Sequence, residues 1–266
     1  MKRIIIVTGA SSGLGLEFAR QLSQGRDAAE IWLLARRKDK LELLAAEIAA
    51  RGKGIPAPRV FAFNLAGASG VRHFQDLLKK ERESGEFVID SLVNNAGFGT
   101  YGTFQETALE RELEMIDLNA YALTGLCHAA IPLMAPGSIL VNVASLASYI
   151  PLGNFAVYGA TKAYVLNFTV ALAAELADAG IRVSAVCPGP VDTEFANVAS
   201  NGARERVIDG KRPEDVVSHC LGGIRKGKHV IVMAPQWKFK AFMSRFMGRY
   251  FFARYTYIHE QRPHRP

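Results

Sequence analysis

The sequence predicts a single α/β domain, doubly wound around a mostly parallel seven-stranded sheet with helices on both faces. Apolar runs of four to seven residues alternate along the chain with longer helical segments. Strands that are buried on both faces contain such runs, and a helix between two of them makes the pair parallel. A length of 266 residues with 49% hydrophobic composition suffices for one core of this kind.

The first half of the chain alternates four strands with three helices, and each strand is a short run of mainly apolar residues. In order, they are the aliphatic strand 4–7, which Thr8-Gly9 ends, the helix 13–25, the strand 30–35, the charged amphipathic helix 38–51, the strand 59–63, the helix 71–82 and the strand 89–93, which an Asn-Asn-Ala-Gly turn ends.

The second half continues the alternation with longer and less polar elements. They are the helix 108–134, the strand 138–144, the helix 155–179, the strand 182–186, the helix 213–225 and the strand 229–233. No charged residue lies between Asp117 and Lys162, which superficially suggests a membrane span. Because Pro132, Pro136 and Pro151 interrupt this stretch, we expect buried helices and strands there instead.

The formal charge of +7 is concentrated at the C-terminal end. Residues 237–266 contain seven basic residues and one acidic residue, whereas the preceding 236 residues contain 25 basic and 24 acidic ones. A nucleic-acid-binding domain needs its basic surface on the fold itself, so we expect no nucleic-acid partner. The chain divides into residues 1–236, the predicted domain, and residues 237–266, a basic and aromatic tail that belongs to the same domain or forms a peripheral helix.

Cysteine usage favours a reducing compartment and no metal site. Cys127, Cys187 and Cys220 are far apart, odd in number and without metal-ligand spacing, so they are interpreted as reduced, mostly buried thiols. The apolar run after Lys2-Arg3 is too short for a signal peptide. The expected location is cytoplasmic, with peripheral contact to the inner face of a membrane left open.

A glycine-rich turn joins the first strand to the first helix. Glycine permits a tight turn and close approach of backbone N–H groups to a pyrophosphate, and the helix N-terminus adds its positive dipole end. The position after the first strand is the one that a dinucleotide-binding Rossmann fold requires. The cofactor residues expected here are Gly9, Ser11, Ser12, Gly13, Leu14 and Gly15.

Arg36 and Arg37 stand at the end of the second strand, where an NAD-specific site usually has a carboxylate for the ribose 2′-hydroxyl. A pair of guanidinium groups suits a 2′-phosphate instead, and Ser11 adds a hydroxyl. NADP(H) is therefore favoured over NAD(H). The alternative is that these arginines only begin a solvated helix.

Tyr158 and Lys162 are four positions apart on a predicted helix, so both side chains project from one face. A tyrosine normally keeps its proton until about pH 10. A nearby ammonium group favours the phenolate and is expected to lower the pKa of Tyr158.

With these motifs the chain resembles the short-chain dehydrogenase/reductase family, over nearly the whole domain. The shared elements, each at its expected position, are TGxxxGxG at 8–15, Asn94-Asn95-Ala96-Gly97 after the fourth strand, Asn119, Ser145, Tyr158-x-x-x-Lys162, and Pro188-Gly189-Pro190-Val191-Asp192-Thr193 after the sixth strand.

The resemblance implies roles for four catalytic residues. Tyr158 would give or take the proton of the substrate oxygen, and Ser145 would hydrogen-bond that oxygen. Lys162 would hold the nicotinamide ribose and tune Tyr158. Asn119 would anchor a water leading from Lys162 to solvent. The alternatives are a cap of the following segment for Ser145 and a helix-to-strand bridge for Asn119.

The resemblance also implies cofactor contacts at the ends of the later strands. Where the family often has an aspartate that binds adenine, this chain has Asn64-Leu65, whose amide can both donate and accept. The remaining expected cofactor contacts are Asn95, Ala96, Gly97, Tyr158, Lys162, Pro188, Gly189, Val191 and Thr193.

The predicted function is NADP(H)-dependent hydride transfer to or from a carbonyl or secondary alcohol of a hydrophobic small molecule. Alternatives are a 3-oxoacyl thioester reductase, a catalytically silent NADP(H)-sensing regulator and a membrane-surface protein. Residues 194–210 are expected to form a mobile lid over the substrate. The apolar wall of the substrate pocket is expected from Phe98, Tyr101, Leu146, Tyr149, Phe155 and Phe195.

Two surfaces remain for partners. In the tail, one helical stripe contains Phe239, Phe242, Met243, Phe246 and Tyr250 with basic residues on both sides. This predicts a helix that lies on an anionic membrane or one that covers the substrate mouth or a partner subunit. The nearly uncharged helices 108–134 and 155–179 favour a homodimer or homotetramer, as in the family.

Overall fold

The computed structural model of the chain describes residues 1–52, 54–205, 207, 209–246, 248–260 and 262–265. Seven strands form one sheet in the order β3-β2-β1-β4-β5-β6-β7, and every pairing is parallel. The predicted doubly wound α/β fold is confirmed. The strands are β1 (Lys2–Thr8), β2 (Glu30–Ala35), β3 (Ala57–Ala62), β4 (Phe87–Asn94), β5 (Met134–Val143), β6 (Arg182–Val186) and β7 (Val230–Ile231).

Helices cover both faces of the sheet. The α-helices of the described residues are α1 (Gly13–Gly25), α2 (Lys38–Ala49), α3 (Gly67–Glu83), α4 (Leu109–Ile116), α5 (Leu123–Ala130), α6 (Ala156–Glu175), α7 (Phe195–Ala199), α8 (Pro213–Arg225), α9 (Pro235–Met243) and α10 (Arg249–His259).

Apolar side chains pack in one layer on each face. Ile4 and Trp32 pack on one face with Phe74 of α3, while Ile5 packs on the other with Phe18 of α1, and all five are fully buried. Successive strand residues point to opposite faces, so one strand supplies both layers. These apolar runs hold the strands in register and fix where each strand ends.

The carboxyl ends of the strands create the site. From β1 the chain winds outward to β3, returns through α3 to β4 beside β1, and then winds to β7. The loops after β1 and β4 therefore diverge to opposite faces and leave a crevice between them, where ligands bind in folds of this type.

The predicted helix 108–134 is divided into segments. A π-helical turn, Asp117–Ala122, separates α4 from α5, and a 3-10 turn, Ile131–Leu133, follows. Pro132 lies in this last turn and has no N–H to continue an α-helix. Strand β7 is also shorter than the predicted 229–233, since only Val230 and Ile231 pair with β6.

The tail forms two helices rather than one stripe, since a turn at 244–246 ends α9 and Gly248 precedes α10. Trp237 of α9 is 4% exposed, and a Cβ on Gly189 would come within 2.3 Å of its ring. Thr256 of α10 accepts a 2.9 Å hydrogen bond from the backbone N–H of Gly153. Both helices therefore pack on the sheet domain. Across the described residues, none of the helices combines the length and apolar character that spanning a bilayer demands.

Candidate active site

A large cavity of about 780 Å³ lies in the crevice at the carboxyl ends of the strands. All the predicted cofactor residues except Gly15 line it, and so do three of the four predicted catalytic residues, Ser145, Tyr158 and Lys162. Asn119 lies behind the cavity wall. The structure therefore brings residues from 9 to 193 into one site.

The glycine turn adopts the backbone conformation that favours glycine. Gly9 and Gly13 have φ values of +64° and +55°. Gly15 acts differently, because a Cβ there would lie 2.3 Å from the carbonyl oxygen of Gly9. Gly15 thus permits the first turn of α1 to pack on the loop, whereas Gly9 and Gly13 face the cavity.

Thr8 and Asn95 tie this turn to the loop after β4. The Thr8 hydroxyl accepts hydrogen bonds of 3.0 Å from the backbone N–H groups of Asn95 and Ala96. The Asn95 amide donates to the carbonyl oxygens of Thr8 and Gly9, at 3.2 and 3.3 Å. These hydrogen bonds hold the glycine turn and the loop after β4 together.

Arg37 reaches back to the glycine turn. Its guanidinium donates to the hydroxyls of Ser11, at 3.1 and 3.3 Å, and Ser12, at 2.8 Å, and forms a 2.8 Å ion pair with Glu194. Arg36 points towards Glu114 of α4, with a 3.4 Å ion pair. The two serine hydroxyls and the two guanidinium groups at the end of β2 could together donate several hydrogen bonds to a phosphate group.

The neighbouring loop after β3 brings Asn64 and Leu65 to the same end of the cavity. The Asn64 side-chain oxygen accepts a 3.1 Å hydrogen bond from the backbone N–H of Ala66. Leu65, the next residue, is buried at 3% exposure.

Tyr158 lies in an aromatic stack on α6. Its ring centroid is 4.1 Å from that of Phe155, with the planes nearly parallel, and 5.4 Å from that of Phe195. Burial raises the pKa of Tyr158 above its ordinary value, and a hydrogen bond with Ser145 only partly offsets this rise. The expectation that this pKa is lowered is wrong for this structure, because desolvation of the buried phenol dominates.

Lys162 is 5% exposed, and its ammonium donates a 2.8 Å hydrogen bond to the carbonyl oxygen of Val143 at the end of β5. The nitrogen lies 5.7 Å from the ring centroid of Tyr158. Burial lowers the pKa of Lys162 to about 8. A proton on this amine is therefore held less firmly than on an exposed lysine.

Ser145 follows β5 and caps the 3-10 turn Leu146–Ser148. Its hydroxyl accepts a 3.1 Å hydrogen bond from the backbone N–H of Ala147. In turn, the Ser148 hydroxyl accepts a hydrogen bond from the backbone N–H of Ser145. The alternative role as a cap is thus present. Because a hydroxyl can donate one hydrogen bond while it accepts another, capping and a substrate role are compatible.

Asn119 is 1% exposed in the π-helical turn. Its amide nitrogen donates a 2.9 Å hydrogen bond to the carbonyl oxygen of Phe98. The backbone N–H of Phe98 donates a 3.1 Å hydrogen bond to the amide oxygen of Asn119. A Cβ on Gly97 would lie 2.7 Å from this amide oxygen and 3.5 Å from the Lys162 nitrogen. The bridge from helix to loop is present, and the water relay stays a prediction.

The loop after β6 closes the cavity from the other side. Pro188, Gly189, Val191 and Thr193 all face it, and the Thr193 side chain lies where a Cβ on Gly13 would be 3.1 Å away. The glycine turn and this loop therefore meet across the crevice.

The substrate end of the cavity has the apolar wall that was predicted, with one exception. Phe98, Tyr101, Leu146, Phe155 and Phe195 line the cavity. The prediction for Tyr149 is wrong, because the 3-10 turn rotates this residue onto a separate depression.

Sequence reasoning missed several residues of the cavity wall, among them five charged or ionisable side chains. Their charge was visible in the sequence, but their position depends on how the tail returns over the domain. They are Arg204, Lys240, His259, Glu260 and Arg262.

Comparison with known proteins supports the fold and identifies the family. The family model for short chain dehydrogenases matches residues 3–203. "Probable oxidoreductase EphD" of Mycobacterium tuberculosis is 32% identical over 252 residues, which are 88% of this chain and 41% of that protein. The chain thus spans about two fifths of the length of this curated relative.

Two other matches extend over most of both chains. A serine 3-dehydrogenase of Agrobacterium fabrum is 33% identical over 239 residues, which are 86% of this chain and 91% of that protein. A short-chain dehydrogenase from Sphingobium yanoikuyae in complex with NADPH has a TM-score of 0.77 and 27% identity, covering 92% of this chain and 94% of that one. The matched fold, the motifs and the cavity together show that this chain belongs to the short-chain dehydrogenase family.

Proposed function

We propose that the chain is an NADP(H)-dependent oxidoreductase that interconverts a carbonyl and an alcohol. The observation that carries this proposal is the convergence of Ser145, Tyr158 and Lys162 in the same cavity as the glycine turn and Arg37. The shape of the site suits a long dinucleotide, since the cavity extends from Arg37 to Tyr158. When bound, a reduced nicotinamide supplies the hydride.

The residues of this chain would provide the proton and the positioning. Tyr158 gives its proton to the substrate oxygen, and the Ser145 hydroxyl hydrogen-bonds the same oxygen. Tyr158 is protonated at neutral pH, since burial raises its pKa, and carbonyl reduction requires this protonated form. The rise itself makes the phenol a weaker acid, so the catalytic role rests on the position of Tyr158 in the cavity. Lys162 lies close enough to the phenol to influence its protonation and holds the ribose of the cofactor.

The remaining contacts follow from which residues line each end of the cavity. Arg36, Arg37 and Ser11 hold the 2′-phosphate, and Asn64 with Leu65 meets the adenine. Asn95 to Gly97 and Pro188 to Thr193 line the nicotinamide half. Asn119 acts from behind Gly97 as the anchor of a water relay from Lys162.

Tyr158→Phe tests the catalytic role directly. Ketones, aldehydes and alcohols are assayed with NADPH and NADH by the absorbance of the reduced nicotinamide. We expect turnover with NADPH that falls at least about 100-fold in the variant, while NADPH binding, measured by fluorescence titration, persists. Binding without turnover of any compound by the natural chain would instead indicate a nucleotide-sensing regulator, and unchanged turnover in the variant would refute the tyrosine mechanism.

A membrane-contacting tail is a second proposal, favoured by one observation. Eight large apolar side chains of the tail are at least 47% exposed: Phe239, Phe242, Phe246, Tyr250, Phe251, Tyr255, Tyr257 and Ile258. Basic residues lie among them, a combination typical of helices that rest on anionic lipid. Pelleting with phosphatidylserine vesicles should be lost on deletion of residues 237–266, and equal recovery of both proteins in the supernatant would refute it.

Assembly through the exposed apolar side chains of α4 and α6 is proposed on similar grounds. Leu109, Leu113 and Ile116 of α4 and Tyr164 and Val170 of α6 are at least 40% exposed. An apolar face of this kind suits pairing with the same face of a second copy. Light scattering should report a dimer or tetramer, and Leu113→Glu should shift it to monomer.

A further inference from the structure

The substrate end of the cavity has an excess of positive charge. Besides Lys162, the cavity is lined there by Arg204, Lys240 and Arg262 but by one carboxylate, Glu260. The other cavity carboxylate, Glu194, is paired with Arg37 at the cofactor end. A binding pocket for a purely hydrophobic molecule has no need of these cations.

Arg262 is built into the wall of the cavity. Its side chain is only 12% exposed, and one nitrogen donates 2.8 Å to the carbonyl oxygen of Gly153. The guanidinium carbon lies 5.4 Å from the ring centroid of Phe155. Burial lowers the pKa of Arg262, so the protein holds a cation here against a desolvation penalty.

Arg262 is also close to the reacting groups. Arg262 and Tyr158 both contact Phe155, and the Phe155 and Tyr158 ring centroids are 4.1 Å apart. Together these two separations place the guanidinium carbon no more than 9.5 Å from the Tyr158 ring centroid. A group of a few bonds' length connects a carbonyl beside Tyr158 with the guanidinium.

The positive charge of Arg262 is incompletely balanced. Glu260 forms a 2.5 Å ion pair with it but is 45% exposed, so water screens that partner and a ligand can replace it. Arg204 repels Arg262 across the cavity. In the described part of the chain, the Arg204 guanidinium has no hydrogen bond or ion pair of its own.

We infer that Arg262, supported by Arg204, binds a carboxylate group of the substrate, so that the substrate is a short oxo acid or the corresponding hydroxy acid. The fork of a guanidinium matches a carboxylate with two parallel hydrogen bonds. The aromatic wall then contacts the few methylene groups between carboxylate and carbonyl. This inference rests on the proposed oxidoreductase function and names its substrate class.

The test compares straight-chain oxo acids of about four to six carbons with their carboxamides, which have the same shape without the charge. For the natural chain with NADPH, kcat/KM for the acid should exceed that for the amide at least about tenfold, the factor expected for one charged hydrogen bond. In Arg262→Gln the ratio of kcat/KM for the acid to kcat/KM for the amide should fall to near one. In Arg262→Lys this acid-to-amide ratio should lie between one and the value of the natural chain. Glu260→Gln should raise it.

Arg254→Gln is the matched control. Arg254 belongs to the same tail and lies over Tyr257, with 5.5 Å to the ring centroid, but it does not line the cavity. Its ratio of acid to amide should equal that of the natural chain. A measurement that needs no variant is inhibition of neutral ketone reduction, which butanoate should produce competitively and butanamide should not.

The possible failures are distinguishable. Turnover of amides and neutral ketones with no preference for acids, and no inhibition by butanoate, overturns the carboxylate site and leaves the oxidoreductase function standing. An acid preference that Arg262→Gln does not change, in a variant that folds, assigns the charge recognition elsewhere and overturns the role of Arg262. Absence of turnover for every carbonyl overturns both proposals.

Discussion

The side-chain ammonium of Lys162 donates a 2.8 Å hydrogen bond to the carbonyl oxygen of Val143, the last residue of β5. Both groups are buried, and no carboxylate of the described chain forms an ion pair with this amine. Desolvation therefore lowers the pKa of Lys162 to about 8 from an ordinary value of 10.5. The folded protein binds this proton less tightly than the unfolded chain does.

Lys162→Met should abolish turnover and yet stabilise the protein at neutral pH. The natural chain carries the desolvation penalty fully below about pH 8 and loses it as pH rises towards 10.5, where the unfolded chain also releases the proton. The variant should be more stable at pH 7 by on the order of 2 kcal/mol, after allowance for the lost hydrogen bond. Urea unfolding at pH values from 7 to 10 measures the difference in free energy of unfolding between the variant and the natural chain, which should become smaller as the pH rises.

Lys79→Met, at an exposed position of α3, serves as the control and should change neither turnover nor the pH profile. Stabilities of the Lys162 variant and the natural chain that stay parallel across this range would show that burial does not perturb the lysine.

Arg37→Ala should weaken NADPH binding much more than NADH binding. Loss of a guanidinium that already bonds Ser11 and Ser12 removes the main proposed partner of the 2′-phosphate. One to two charged hydrogen bonds correspond to about a 10- to 100-fold rise in the Kd of NADPH. The Kd of NADH should change less than about threefold, as measured by isothermal calorimetry.

Glu194→Gln should act in the opposite direction. Its carboxylate occupies the Arg37 guanidinium at 2.8 Å and competes with a phosphate for it. Neutralising this competitor should tighten NADPH binding, whereas Arg212→Ala, an exposed arginine outside the cavity, should change nothing. Equal effects of Arg37→Ala on both cofactors would remove the basis for NADP(H) preference.

The sequence predicts the parts of this site whose structure depends only on residues that are close together along the chain. The glycine turn, the loop after β4 and the pair Tyr158 and Lys162 each lie within one strand end or helix turn. Their relative placement follows once the strands are parallel, because carboxyl ends of parallel strands meet at one edge. This is why residues 9 to 193 could be assigned to one crevice before the structure was known.

The rest depended on long-range packing. Arg262 reaches the cavity only because α10 lies on the loop that contains Gly153, and no periodicity specifies that contact. The rotation that removes Tyr149 from the pocket arises in a three-residue turn. The pKa of Tyr158 also depends on packing, since burial of the side chain raises this pKa although an ammonium lies 5.7 Å from the ring centroid.

Gly189→Ala should detach the tail from the nucleotide loop. An added Cβ would lie 2.3 Å from the ring of Trp237, so the loop or α9 must move. Overpacking of this kind lowers the free energy of unfolding by about 1–3 kcal/mol, and the emission of Trp237 should shift to longer wavelength as it meets water. Gly222→Ala in α8 is the control, since its Cβ would meet only an arginine nitrogen at 3.8 Å, and helix propensity predicts slight stabilisation. Unchanged emission in Gly189→Ala would contradict the packing of α9.

Asp90 ties the amino-terminal edge of the sheet together, far from the cavity. Its carboxylate is buried, accepts hydrogen bonds of 2.5 Å from Arg26 and 2.7 Å from Ser91, and pairs with Arg3. Burial raises the pKa of Asp90, but the hydrogen bonds from Arg26, Ser91 and Arg3 outweigh it, and the pKa lies below its ordinary value.

Asp90→Asn should therefore destabilise the protein in a pH-dependent way. Since the folded pKa is depressed, the stabilisation by Asp90 is present above the unfolded value of about 3.9 and is lost as pH falls through the folded one. We expect a loss of about 2 kcal/mol at pH 7, less than for a fully buried pair because both arginines are partly exposed. Urea unfolding near pH 3 should show a smaller difference in the free energy of unfolding between Asp90→Asn and the natural chain. Glu214→Gln is the control. Glu214 forms an exposed pair with Arg212, so this variant should change the free energy of unfolding by less than about 0.5 kcal/mol at either pH. A difference between Asp90→Asn and the natural chain that grows as the solution is acidified would contradict a charged, paired Asp90.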